Sequence, residues 1–140
     1  MMNESLWHTF SIRLKRESIR WDLFTVLEVD WTAGIVQRSY SSDEVNYPSG
    51  GTKQLMKSDW AAHVILGQRA FVSRDQASFR TAFSDFELLE SMGLHFALNV
   101  PVVEQERTVR TLNFLRAAPA FNAREQTSIE ASLAAYALRR

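Results

Sequence analysis

The spacing of apolar residues along the chain predicts a helix at each end, with strands and short helices between them. Residues 3–20 place apolar side chains at every fourth position from Leu6 to Leu14, with polar residues elsewhere. This is the pattern of an amphipathic helix with one buried stripe. Residues 122–140 carry a second such pattern, and Asn122 provides a capping residue at its start. Both ends of the chain are therefore expected to pack helices against the rest of the molecule.

The strand signals between these helices fall mainly into two hairpins. Residues 22–30 and 35–41 are rich in β-branched and aromatic types, and Gly34 can supply the turn between them. Residues 94–103 and 109–117 are more continuously apolar and are joined by a charged connector. Such strands are too apolar to face water on both sides, so something must cover the sheet. The predicted class is α+β with a central antiparallel sheet.

Between the hairpins the sequence predicts a long loop and then short helices. Residues 42–58 are rich in Asp, Asn, Pro, Ser and Gly, which are turn-forming residues. Ser58 or Asp59 can cap a helix that runs to about Gly67. Residues 84–87 have the form of a capping box for a further helix, which Gly93 ends. Long loops in compact domains are often functional.

Composition removes several classes of function. Sixteen basic and sixteen acidic residues give zero net charge, which disfavours a nucleic-acid surface. The chain has no cysteine, so disulfides, thiolate nucleophiles and thiolate metal ligands are excluded. We expect one domain over residues 1–140, with no signal peptide and no membrane contact, in the cytoplasm.

Two pairs of segments resemble the GAF domain family. Residues 93–102 (GLHFALNVPV) and 110–114 (RTLNF) are similar to its second half, in which a strand ending in Val-Pro is followed by a hairpin and a Thr-Leu-Asn strand. Residues 38–42 and 47–51 resemble the first half of small free-standing bacterial GAF proteins. The resemblance covers roughly residues 5–138.

The resemblance implies a profilin-like, PAS-related antiparallel sheet with the N- and C-terminal helices on one face and short helices roofing a pocket on the other. It also implies small-molecule sensing in signal transduction, and homodimers made through the terminal helices. Residues 104–107 and Arg110 depart from the family pattern, which usually has glycines there. Chromophore attachment and methionine-sulfoxide reduction of the GAF type need cysteine, and the Asn-Lys-Phe-Asp-Glu signature of cyclic-nucleotide binders is absent.

The candidate ligand site is a set of aromatic and polar residues in the half of the chain that would roof the pocket. The set comprises Arg38, Tyr40, Tyr47, Trp60, His63, Phe71, Phe83 and Phe86. An apolar pocket with a few polar groups suits a small aromatic or mixed-polarity ligand, with Arg38 as an anion anchor. The alternative is that these rings simply fill the core.

Histidine and asparagine residues offer further chemistry. Apart from Asp59, no possible metal ligand stands at helical spacing from His63, so we expect a structural role for it and no metal site. Asn99 and Asn113 lie within the apolar strands. We expect them to hydrogen-bond to each other or to the backbone under a terminal helix, and the alternative is that they orient a ligand.

Three functional hypotheses follow. The leading one is a sensor or regulatory module, not an enzyme, that binds an unidentified small molecule non-covalently and needs no cofactor. Ligand binding would order residues 43–58 and shift the terminal helices. The second is an association module whose pocket is filled by its own side chains. The third is a small enzyme that uses His63 or Tyr47 as a proton carrier.

Overall fold

The computed structural model describes residues 4–55 and 57–137. In chain order the elements are helix α1 (Glu4–Arg16), strands β1 (Leu23–Asp30), β2 (Ile35–Ser41) and β3 (Thr52–Gln54), helix α2 (Asp59–Ala61), a π-helix (Ala62–Leu66), strand β4 (Phe71–Val72), helices α3 (Gln76–Ala82) and α4 (Phe86–Ser91), strands β5 (Phe96–Glu104) and β6 (Arg107–Arg116), and helix α5 (Ala123–Ala137). Helices and strands are interspersed along the chain, as the sequence predicts.

The strands form one six-stranded antiparallel sheet in the order β3-β2-β1-β6-β5-β4. The predicted hairpins are β1–β2 and β5–β6, and β1 joins them by pairing with β6. The predicted α+β class is therefore confirmed. Strand β3 lies within the segment predicted to be loop, and its residues are all exposed. An exposed edge strand carries no alternation of apolar and polar residues, so the pattern gave no signal for it.

Helices α1 and α5 cover one face of the sheet. The rings of Phe24 and Phe114 stack there with centroids 4.8 Å apart, and Trp7 and Phe10 of α1 pack against Phe24. Phe10 and Leu14 of α1 are buried as predicted. At the start of the stripe Trp7 is buried in place of Leu6, since Trp7 is 1% exposed and Leu6 is 38% exposed. Large aromatic residues on both layers fix this face as the main core.

The short helices and the π-helix cover the opposite face, as predicted. The hydroxyl of Ser58 caps α2, and Asp75 with Ser78 forms a capping box at α3. The capping box predicted for residues 84–87 is absent, because α4 begins after Asp85 and the Asp85 side chain accepts no capping hydrogen bond. Gly93 has a φ of +81°, which confirms it as the left-handed residue that follows α4.

Within the part of the chain that the structure describes, no helix combines the length and apolarity needed to cross a membrane.

Candidate functional site

A cavity of about 560 Å³ lies between the sheet and the short helices. Its floor consists of side chains from β1, β2 and β6, namely Thr25, Leu27, Val36, Asn113 and Leu115. The walls are residues 51–55, Lys57, Ser58, α2 with the π-helix, and the end of α3. Most of this lining is apolar, and hydroxyl, amide and basic groups interrupt it. Concave, largely apolar sites with a few polar groups are typical of small-molecule binding.

Tyr47 roofs the cavity and is tied to the structure from two sides. Its hydroxyl donates a hydrogen bond of 2.6 Å to Asp85 Oδ2, which joins the loop after β2 to the start of α4. The guanidinium carbon of Arg38 lies 3.8 Å from the centre of the Tyr47 ring, and Arg38 Nη1 donates to the carbonyl of Pro48 at 2.7 Å. These contacts hold the loop over the cavity.

Burial is the main cause that raises the pKa of Tyr47 above its ordinary value, and the hydrogen bond and charge of Asp85 raise it further. Tyr47 is 8% exposed, so its phenol stays protonated at neutral pH. Its proton is directed at Asp85 and not at the cavity. The second carboxylate oxygen of Asp85, Oδ1, is buried and makes no hydrogen bond with any of the described residues.

Tyr47→Phe is expected to lower the free energy of unfolding by about 1–3 kcal/mol at pH 7, because it leaves the Asp85 carboxylate without its donor. The raised pKa means that this contribution is complete below about pH 10, the ordinary pKa of tyrosine, and is lost as the pH rises further. Urea denaturation should show that the difference in the free energy of unfolding between wild type and variant is smaller at alkaline pH than at pH 7. In an Asp85→Ala background the same substitution should cost little. A difference independent of both pH and Asp85 would contradict the assignment.

A network of side-chain amides lies under the cavity. Asn99 Nδ2 donates to Asn113 Oδ1 at 2.8 Å, and Thr111 Oγ1 donates to the same oxygen at 3.1 Å. Trp60 Nε1 donates to Asn99 Oδ1 at 3.0 Å, so the network ties α2 to strands β5 and β6. The predicted bond between the asparagines is confirmed. The expectation that it lies under a terminal helix is wrong, because Asn113 lines the cavity on the other face.

The structure brings together Arg38, Tyr47, Trp60 and Phe83 from the predicted site, and all four line the cavity. Tyr40 does not. The pairs Val26–Tyr40 and Leu27–Arg38 skip Ser39, which forms a β-bulge. An extra residue reverses the alternation of side chains along a strand, so Arg38 faces the cavity and Tyr40 faces α1.

Three other predicted residues also lie outside the lining. His63 Nε2 is 2.9 Å from the carbonyl of Ala70, and its ring meets Phe71 edge-on with centroids 6.2 Å apart. Phe86 packs in the small core under α3 and α4. These contacts hold the π-helix and α4 in place behind the cavity wall. Among the described residues, no group of three or more His, Asp or Glu side chains could hold a metal ion.

Several lining residues had no signal in the sequence. Lys53 lies on β3 opposite Val36, and directly paired residues of antiparallel strands face the same side, so Lys53 is directed to the cavity side of the sheet. Lys57 and Ser84 come from turns on either side of the cavity. Only the pairing of β3 with β2, which the loop-like composition hid, could have shown where Lys53 lies.

Solved structures with the same architecture include GAF domains at low sequence identity. The GAF domain of a two-component sensor histidine kinase from Bacillus halodurans has a TM-score of 0.76 and 14% identity, over 94% of this chain and 88% of that chain. A GAF domain/HD domain protein from Geobacter sulfurreducens gives 0.75 and 15%, over 96% and 89%. A type II free methionine-R-sulfoxide reductase from Thermoplasma acidophilum gives 0.67 and 13%, over 91% and 84%.

No protein-family model and no curated protein sequence matches the chain significantly. The structural likeness therefore defines the fold. The chain has a GAF-like α+β fold.

Proposed function

We propose that this chain is a sensor or regulatory module that binds a small molecule non-covalently in the cavity roofed by Tyr47. The cavity itself is the observation that carries the proposal. Its volume of about 560 Å³ falls within the ~300–1,000 Å³ typical of small-molecule sites. An association module filled by its own side chains would not need such a space.

The strands that form the floor of the cavity also carry the core under the terminal helices. Thr25 and Asn113 face the cavity, while their chain neighbours Phe24 and Phe114 face α1. A ligand that prefers one arrangement of β1 and β6 would therefore bias the packing of α1 and α5. The homodimer through these helices stays a prediction.

The described side chains support binding more than catalysis. His63 lies outside the lining and faces a backbone carbonyl, and the raised pKa of Tyr47 makes its phenol a poor base at neutral pH. The fold alone does not decide the question, since one of the similar structures is a reductase.

Ala82→Trp tests the cavity directly. Ala82 lines the cavity at the end of α3, so an indole there is expected to occupy the space in which a ligand would sit. A compound screen by thermal shift with the wild type should give hits, and a binder at about 100 times its Kd stabilises the protein by ~2.7 kcal/mol. The variant should lose that stabilisation for the same hits.

Ala77→Trp is the matched control, because Ala77 is exposed on the same helix and does not line the cavity. This variant should be stabilised by every compound that stabilises the wild type. Hits that survive both substitutions equally would show that they bind elsewhere, and would count against the proposed function.

A further inference from the structure

We propose that the ligand of this cavity is an anion with an apolar body, such as an aromatic or branched carboxylate. This inference rests on the proposed function, because it concerns the same cavity. It commits to the charge of the ligand, which the fold does not decide.

The charged side chains that line the cavity are all basic. They are Arg38, Lys53 and Lys57, and no Asp or Glu is among the described residues that line it. Arg38 follows Val36 by two residues on β2, and Lys53 pairs directly with Val36 from β3. Both cationic side chains therefore project from neighbouring positions on the cavity side of the same sheet edge. Arg38, Lys53 and Lys57 all line the same cavity.

These positive charges are not neutralised by carboxylates in the described part of the chain. Arg38, Lys53 and Lys57 take part in none of the ion pairs between described side chains. Arg38 donates to one backbone carbonyl, and Lys53 Nζ lies 3.5 Å from Ser84 Oγ. Both of these acceptors are neutral, so neither offsets the charge of its donor.

The rest of the lining selects the body of the ligand. Trp60 and Phe83 provide aromatic surface, and Leu27, Ile65 and Leu115 provide aliphatic surface. Purely ionic ligands such as inorganic phosphate would leave this surface in contact with water. A ligand with rings or branched carbons would bury them against this surface and place its anionic group near the basic residues. Such a ligand contacts both the apolar and the basic lining.

Two fluorescent probes separate charge from shape. Anilinonaphthalene sulfonate and phenylnaphthylamine share the same aromatic framework, and only the first carries a sulfonate. The wild type is expected to bind the sulfonate at least about tenfold more tightly than the neutral probe, as one charged hydrogen bond suffices for that ratio. Raising the salt concentration should weaken binding of the sulfonate alone.

The double variant Lys53→Gln/Lys57→Gln should weaken binding of the sulfonate probe by about tenfold and leave the affinity for the neutral probe unchanged. Both lysines are exposed, so the substitutions should not affect folding. Arg69→Gln/Arg74→Gln is the matched control, because it removes two exposed positive charges outside the cavity lining. It should alter neither affinity.

Ala82→Trp distinguishes failure of this inference from failure of the proposed function. Suppose that Ala82→Trp weakens binding of both probes, while the wild type binds the two equally well and the lysine variant changes neither affinity. The anion preference is then overturned, and binding in the cavity stands. If Ala82→Trp weakens neither probe, the probes bind outside the cavity, and that result counts against both proposals.

Discussion

Arg116→Met is expected to lower the free energy of unfolding by about 3–5 kcal/mol, since it leaves a buried carboxylate without its partner. Arg116 is 2% exposed and Glu125 is 5% exposed. Two parallel hydrogen bonds of 2.7 and 2.9 Å join the guanidinium to the carboxylate. Methionine preserves much of the side-chain volume, so the loss reports the charge and hydrogen bonds more than a cavity.

The same guanidinium organises the junction between β6 and α5. It donates to the carbonyls of Arg20, Pro119 and Ala120, at distances of 2.9, 2.7 and 3.0 Å. Glu125 in turn accepts from the backbone amide of Asn122 at 3.0 Å, which caps α5. The substitution therefore removes the hydrogen bonds that join β6 to Arg20, to residues 119–120 and to Glu125 of α5.

Denaturation by urea at pH 7 measures this effect, and Arg124→Met is the matched control because Arg124 is exposed next to Glu125. The control should change stability by less than about 0.5 kcal/mol. A loss below about 1 kcal/mol in Arg116→Met would contradict the assigned role.

The pH dependence gives a second check. The hydrogen bonds from Arg116 hold the pKa of Glu125 below its ordinary value. A lowered pKa in the folded state contributes stability that is present above the ordinary pKa of about 4.3 and is lost as the pH falls. The difference in the free energy of unfolding between wild type and Arg116→Met should therefore become smaller as the pH falls below that value.

The layer arrangement was predictable because it follows from side-chain periodicity and turn chemistry. Apolar stripes at the chain ends and the turn at Gly34 predict terminal helices and hairpins, and β1, β2, β5 and β6 form where expected. In contrast, the pairing of Arg116 with Glu125 joins side chains that no local pattern relates. Such contacts depend on the crossing of α5 over the sheet, which is a tertiary property.

The candidate site was predictable only where residue type carried the signal. Tyr47 and Trp60 were selected as aromatic residues in the right half of the chain, and both line the cavity. Tyr40 was selected for the same reason, but the bulge at Ser39 turns it to the other face. A single extra residue reverses which side chains face a ligand, and the sequence of β2 gives no mark of it.

Asn113→Leu is expected to lower the free energy of unfolding by about 2–5 kcal/mol, because it removes the acceptor shared by Asn99 Nδ2 and Thr111 Oγ1. Asn99 and Thr111 are both 0% exposed, so water does not replace the lost acceptor. Leucine adds apolar contacts in compensation, but buried donors left without partners cost more than one added side chain contributes. Urea denaturation at pH 7 measures the loss.

A double-variant cycle with Asn99→Leu isolates the bond between the two amides. Each single variant removes one partner of the other amide, which keeps its remaining hydrogen bonds to Thr111 or Trp60. The double variant removes both ends of the bond between the amides, so its cost should be smaller than the sum of the single costs by about 1–3 kcal/mol. Asn99→Leu also removes the acceptor of Trp60 Nε1, and this cost should persist in the double variant. Strictly additive costs would show that the amides act independently. Since Trp60 and Asn113 line the cavity, a coupled result would mean that the wall and the floor of the binding space are held by one network.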